Sequence, residues 1–175
     1  MQNVGSATGH DAWALPTSDE EVACRCSARL LISASTERGA EALARRIHGA
    51  GPRAQCPFVH LWAGDFPVEP QPLRECCGSA LDRAEGGSML IDAVEEMPAA
   101  VQEVLIELLA RLEFTRRPAA AVRLISGTTV SLLDRIAGGT FSAQLFYRLN
   151  IIHLIAPDGG LSRHRSRRLS RGARQ

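Results

Sequence analysis

At 175 residues the chain has the size of one domain able to bury its own core. Hydrophobic residues make up 45% and charged ones 22%, ordinary for a globular protein, and a net charge of +1 excludes a strongly basic or acidic body. All 20 basic side chains are arginine, so any chemistry that depends on a lysine amine is excluded.

Residues 1–27 read as a flexible, Gly/Ser/Ala-rich lead-in, ending in a possible short helix opened by Ser18-Asp19-Glu20-Glu21, whose acids suit the helix dipole. Arg29–Ser33 is a short apolar run bounded by small polar residues, the signal of a buried strand. A helix is expected over Glu41–His48, with Leu43 and Ile47 on one face, and a second strand over Phe58–Trp62. The stretch from Trp62 to Asp82, rich in Pro, Gly and Cys, carries no clear pattern. Ser88–Asp92 predicts a third strand, ending in an acid and preceded by Gly86-Gly87. From Met97-Pro98 to about Leu112 the spacing of Val101, Val104, Leu105, Leu108, Leu109 and Leu112 predicts a long helix. Ala121–Ser126 and Ile151–Ile155 predict the fourth and fifth strands. Strands alternating with helices imply a mostly parallel sheet covered on both faces.

The five cysteines (Cys24, Cys26, Cys56, Cys76, Cys77) lack the paired C-x₂-C spacing of zinc sites and read as free thiols in a reducing cytoplasm. No apolar run approaches the roughly 20 residues a membrane span needs. Cytoplasmic localisation is the expectation.

Several words of the sequence, in order, resemble the central AAA+ ATPase domain of the activators of sigma-54 RNA polymerase. Ala84-Glu85-Gly86-Gly87-Ser88-Met89-Leu90-Ile91-Asp92 is similar to the family's Walker B approach, ADGGTLFLDE. Glu96-Met97-Pro98, Gln102, Leu105 and Leu108-Leu109 resemble its EMP…Q…LL helix, and Val122–Ile125 its sensor strand. Gly139-Thr140-Phe141 with Leu145-Phe146-Tyr147-Arg148-Leu149-Asn150 resembles GxFRxDLYYRLN. The resemblance runs from Leu30 to Pro157. It implies a three-layer α/β/α, P-loop NTPase-like (AAA+) parallel sheet over residues 28–157, here without the helical lid.

Position by position, the resemblance also implies a lost ATPase. Walker A, GESGTGKE, falls on Ala34–Glu41, so the lysine position is Ala40, and Gly39 and Glu41 are the remnants of the motif. Glu37 places a carboxylate where phosphates would sit. Asp92 stands at the magnesium-organising position as a remnant metal ligand, while the water-activating glutamate is Ala93 and the sensor asparagine Thr129. Of the two arginines that act across the subunit interface in the family, the first is Ser142 and the second survives as Arg148; Phe141 belongs to the same interface word. The stretch between Trp62 and Gly87 is too short for the family's sigma-contacting GAFTGA loop with its flanking helices.

A structural or solvated role competes with metal binding for Asp92, and local pairing competes with a subunit contact for Arg148. His48, His60 and His153 show no ligand spacing and read as core or rim residues. Residues 158–175 form an arginine-rich tail in which Arg163, Arg165, Arg167, Arg168 and Arg171 could clamp a nucleic-acid backbone or an acidic partner, or merely solubilise the end. The expected function is that of a non-catalytic transcription regulator that binds sigma-54-dependent AAA+ activators or itself, with no cofactor. Residual ATP/Mg binding as a nucleotide sensor, and nucleic-acid binding through the tail, are the alternatives.

Overall fold

The computed structural model describes residues 18–113 and 121–157. Helix α1 spans Ser18–Arg25 and begins on the acidic triplet expected to open it. Strand β1 is Leu30–Ser33, and α2, Glu37–Ala50, follows after three residues. Next come β2 (Phe58–Trp62), a 3-10 turn at Ala63–Asp65, and α3 (Pro70–Arg83). Strand β3 (Ser88–Asp92) leads through a second 3-10 turn, Val94–Glu96, into α4 (Ala99–Glu113). The described chain resumes with β4 (Arg123–Thr128), the short helices α5 (Leu132–Ala137) and α6 (Ala143–Leu149), and β5 (Ile152–Ile155). The expectations about the first 17 residues, a lid and the arginine tail with Arg163, Arg165, Arg167, Arg168 and Arg171 lie outside the described residues.

The five strands form one sheet in the order β2-β3-β4-β1-β5, with every pairing parallel. Side chains alternate across it and feed two cores. Leu30, Ile32, Leu90, Ile125 and Leu154 face α1 and α2, packing on Ala23, Leu43, Ala44 and Ile47. Leu31, Val59, Met89, Ile91 and Leu124 face the other way, against Leu73 and Cys77 of α3, Val101 and Leu105 of α4, and Leu145 and Leu149 of α6. The three-layer arrangement is therefore the P-loop NTPase-like architecture that the sequence implied.

Beyond shifts of one or two residues at several element ends, the structure departs from expectation around α3, α2 and β4. The unpatterned stretch contains α3, which starts on Pro70 at a position where the missing N–H costs nothing and buries Leu73, Cys77 and Ala80 at helical spacing. Helix α2 begins at Glu37 rather than Glu41. Strand β4 runs two residues beyond its expected end, to Thr128, because Gly127 and Thr128 are still fully paired and buried beside β1.

Candidate functional site

In open parallel sheets, ligand chemistry collects at the carboxyl ends of the strands. Here that rim is built from the turn after β1, the end of β3 and the loop after β4. The turn after β1 is short. Ala34 N–H donates to Thr128 O at 3.0 Å, so the chain leaves β1 held against β4. Thr36 then caps α2: its hydroxyl accepts from Gly39 N–H at 3.2 Å, and its carbonyl accepts from Gly39 N–H at 3.0 Å and Ala40 N–H at 3.3 Å. Thr36, in extended conformation, is a favourable N-cap, worth about 1 kcal/mol. The amides of Gly39 and Ala40 are thereby directed into the helix and not toward a ligand. The Ala40 side chain is fully buried beneath α2.

Asp92 closes β3 and is 1% exposed. Ala93 follows it in the left-handed region, φ 54° and ψ 45°, a conformation costing an alanine about 1–2 kcal/mol. That turn points Ala93 N–H back at Asp92 Oδ1, at 3.0 Å. A methyl at Gly127, across on β4, would collide with the same oxygen, so the carboxylate sits against bare backbone. His60, on β2, faces the same side of the sheet. Its Nε2 lies 3.7 Å from Asp92 Oδ2 and its Nδ1 lies 3.5 Å from Glu41 Oε1. Glu41 in turn accepts from Arg45 Nε at 2.8 Å. His60 thus stands between the Arg45–Glu41 pair of α2 and Asp92 at the end of β3, its Nε2 buried without a hydrogen-bond partner.

The electrostatics follow from this arrangement. Burial pushes the Asp92 carboxyl above its ordinary range, and the charges of Glu37 and Glu95 push it the same way; Ala93 N–H and His60 offset only part. The Glu41 carboxyl is held below the usual range, chiefly by its bond to Arg45. A carboxyl whose folded pKa is raised binds its proton more tightly in the folded state. Its contribution to stability is therefore greatest below the unfolded value near 3.8 and is lost as pH rises through the folded value. Asp92→Asn, which keeps the acceptor for Ala93 N–H, should stabilise the protein by about 1 kcal/mol at pH 7. The difference should vanish near pH 3 in urea melts followed by circular dichroism.

Beside Asp92, Glu95 accepts from Thr129 N–H at 2.9 Å and from the Thr129 hydroxyl at 2.8 Å, while its second oxygen is buried without a hydrogen-bond partner. Thr129 joins Ser35, Thr36, Glu37 and Arg38 around a cleft of about 410 Å³ over the start of α2. Among the described residues, the lining carries one acid, Glu37, and one cation, Arg38; Glu95 reaches the cleft only through Thr129. The described residues contain no group of three or more His, Cys, Asp or Glu side chains arranged to hold a metal ion.

The structure places Glu41 and Asp92 on either side of the His60 ring and Gly39 in the first turn of α2. Phe141 and Arg148 lie elsewhere, on the α4–α6 side of the sheet. Phe141 is 5% exposed, so it anchors its loop to the core and offers little side-chain surface to a neighbour. Gln102 fixes that loop: its amide donates to Met97 O at 2.8 Å and Thr140 O at 3.1 Å, and its oxygen accepts from Ser142 N–H at 2.7 Å. Ser142, at an arginine position of the resemblance, caps α6 through Leu145 N–H. Arg148 is half-buried in the last turn of α6, beside Tyr147, whose ring is 72% exposed. His48 is a core residue bonded to Ser88 and Cys56 O and stacked edge-on against Phe58; burial keeps its ring below the usual pKa. The five cysteines are free thiols. The sequence reading missed the position of His60, and Glu95 altogether; only the acidic pair Glu95-Glu96 after Ala93 hinted at the latter.

The family profile described as the sigma-54 interaction domain matches residues 74–155. The regulatory protein AtoC of Escherichia coli is 33% identical over 151 residues, covering 74% of this chain and 32% of AtoC. The nitrogen assimilation regulatory protein NtrX of Azorhizobium caulinodans is 33% identical over 146 residues, with 75% and 32% covered.

The chain belongs to the sigma-54 interaction domain family.

Among solved structures, NtrX of Brucella abortus in complex with ATP superposes with a TM-score of 0.65 at 32% identity, over 79% of this chain and 35% of that one. The P-loop NTPase domain of a sigma-54 transport activator from E. coli gives a TM-score of 0.59 at 19% identity, over 78% and 96%, a likeness of fold alone. The chain spans about a third of the length of the curated relatives it matches. No helix among the described residues is long and apolar enough to cross a membrane.

Proposed function

We propose that this member of the family is a non-catalytic regulator of sigma-54-dependent transcription that acts by protein–protein contact with AAA+ activators or with copies of itself. The observation that carries the reading is the turn Ala34–Glu41. Where a phosphate loop needs free backbone N–H groups and a lysine, this chain has a Thr36-capped helix start and a buried Ala40. Ala93 supplies no general base, and the Glu37 carboxylate in the cleft opposes an incoming polyphosphate. Residues 28–157 are the unit of this activity, in the cytoplasm. The α6 face with Tyr147 and Arg148 is the surface offered to a neighbouring subunit, because heterologous ring contacts admit a subunit that cannot hydrolyse ATP.

Asp92 favours a second reading, residual Mg-nucleotide sensing, since a buried carboxylate that costs stability is a common mark of a working site, and NtrX of Brucella abortus is a relative solved with ATP and with ADP. Calorimetry separates the two. With MgATP or MgADP to millimolar concentration no binding heat is expected, while the purified AAA+ domain of a sigma-54-dependent activator should lose phosphate release when mixed with this chain. Micromolar nucleotide binding, or an activator ATPase indifferent to an excess of the chain, would overturn the proposal.

A further inference from the structure

Strand β5 is an outer strand with one covered face. Leu154 and Ala156 point into the core beneath α1 and α2. His153 and Ile155 point to the other face, where both are exposed, Ile155 by 77%. Helix α6 packs over β4 and α4 on that face. Between β5, α6 and the loop after β4 lies a cleft of about 400 Å³. This is the size of a small-molecule site, in a class of cavity that is mostly apolar with a few convergent polar groups.

The lining mixes apolar and polar side chains. Leu31, Leu132, Leu133, Phe146 and Ile155 make an apolar wall, with Leu133 60% exposed at its mouth. Among them, Ser33 and His153, register neighbours of Ile155 and Leu31, bring Oγ and Nε2 within 2.8 Å, and Asn150 also lines the cleft. Among the described residues, no Asp, Glu or Arg contributes to the lining, and His153 is the one ionisable group there. Among the described lining residues a cationic ligand would find no counter-charge, whereas a carboxylate would find hydroxyl and imidazole hydrogen-bond donors.

We propose that this cleft binds a small organic acid with an apolar tail, the tail lying on Leu132, Leu133, Phe146 and Ile155 and the carboxylate received by Ser33 and His153. The proposal goes beyond the regulatory reading and does not depend on the loss of ATP binding. A bound acid would bridge β1, β5 and α6, so occupancy would reach the helix that carries Tyr147 and Arg148.

The test uses the full chain and the fluorescent anion anilinonaphthalene sulfonate, displaced by octanoate or by octanamide at pH 6. One dye should bind per chain, and octanoate should displace it at least about tenfold more effectively than octanamide, the scale of a charge-assisted contact. Leu133→Glu, at a position exposed enough to leave the fold intact by thermal melt, should abolish dye binding. His153→Gln should weaken octanoate about tenfold and leave octanamide unchanged. No dye binding, dye binding indifferent to Leu133→Glu, or equal displacement by acid and amide would each overturn the proposal.

Discussion

Replacing Ala40 with lysine, the single change that would rewrite the turn after β1 toward a phosphate-binding loop, should destabilise the protein by about 2–4 kcal/mol and create no nucleotide site. Ala40 is fully buried, in a core with Leu43, Ala44, Leu30 and Ile32. It lies so close to β4 that a methyl at Gly127 would stand 3.2 Å from its Cβ. A four-carbon side chain therefore overpacks the junction of α2 and β4, a fault that typically costs about 1–3 kcal/mol. The ammonium adds its desolvation. Asp92, whose carboxylate also abuts Gly127, can offset part of that charge but not the volume. Ala40→Met separates the two, since it adds similar bulk without charge and should account for roughly half of the loss. The amides of Gly39 and Ala40 remain bonded to Thr36 in either variant, so MgATP should give no heat in calorimetry. A lysine variant as stable as its parent that bound ATP with micromolar affinity would show that α2 unwinds at its start to remake the loop, and would sink this expectation.

The sequence made the strands easy to find and the site hard. Phe58–Trp62 and Ser88–Asp92 are strands in the structure as expected, because each is a compact apolar run bounded by turn residues, and a central parallel strand needs little more. Helix α3 was hidden by Pro70, Pro72 and Gly78, although Leu73, Cys77, Ala80 and Ala84 repeat at helical spacing and are all buried. The early start of α2 could have been read from Thr36, an N-cap residue three positions before Gly39. The position of His60 between Glu41 and Asp92 could not. It requires that Trp62 pair with Asp92 and that β2 lie beside β3, a register that one sequence leaves open. The cleft beside β5 is hidden for a similar reason: Ser33 and His153 are 120 positions apart and meet only because β1 and β5 are neighbours.

Gly127→Ala should be the most damaging single-methyl change at the rim. In β4 an alanine would ordinarily be preferred to glycine, by about 0.5–1 kcal/mol, so propensity alone predicts a gain. Contact predicts the reverse. The added Cβ would overlap Asp92 Oδ1 and press on Ala40, and both neighbours are held. Asp92 is fixed by Ala93 N–H, and Ala40 is pinned by the first turn of α2. Relief requires the Asp92 carboxylate to rotate away, which leaves Ala93 N–H without its acceptor in a buried turn that already holds an alanine in the left-handed region. A net loss of about 2–3 kcal/mol is expected, the sum of overpacking and a broken buried hydrogen bond. A double-mutant cycle identifies the cause. In an Asp92→Ala background the oxygen is gone, and Gly127→Ala should cost less than about 1 kcal/mol, the residue of its contact with Ala40. Equal losses in the two backgrounds, measured by urea unfolding, would mean that Ala40 and not Asp92 sets the space at Gly127. The carboxylate would then be free to swing toward the cleft over α2, and the nucleotide-sensing reading would gain what the regulatory one loses.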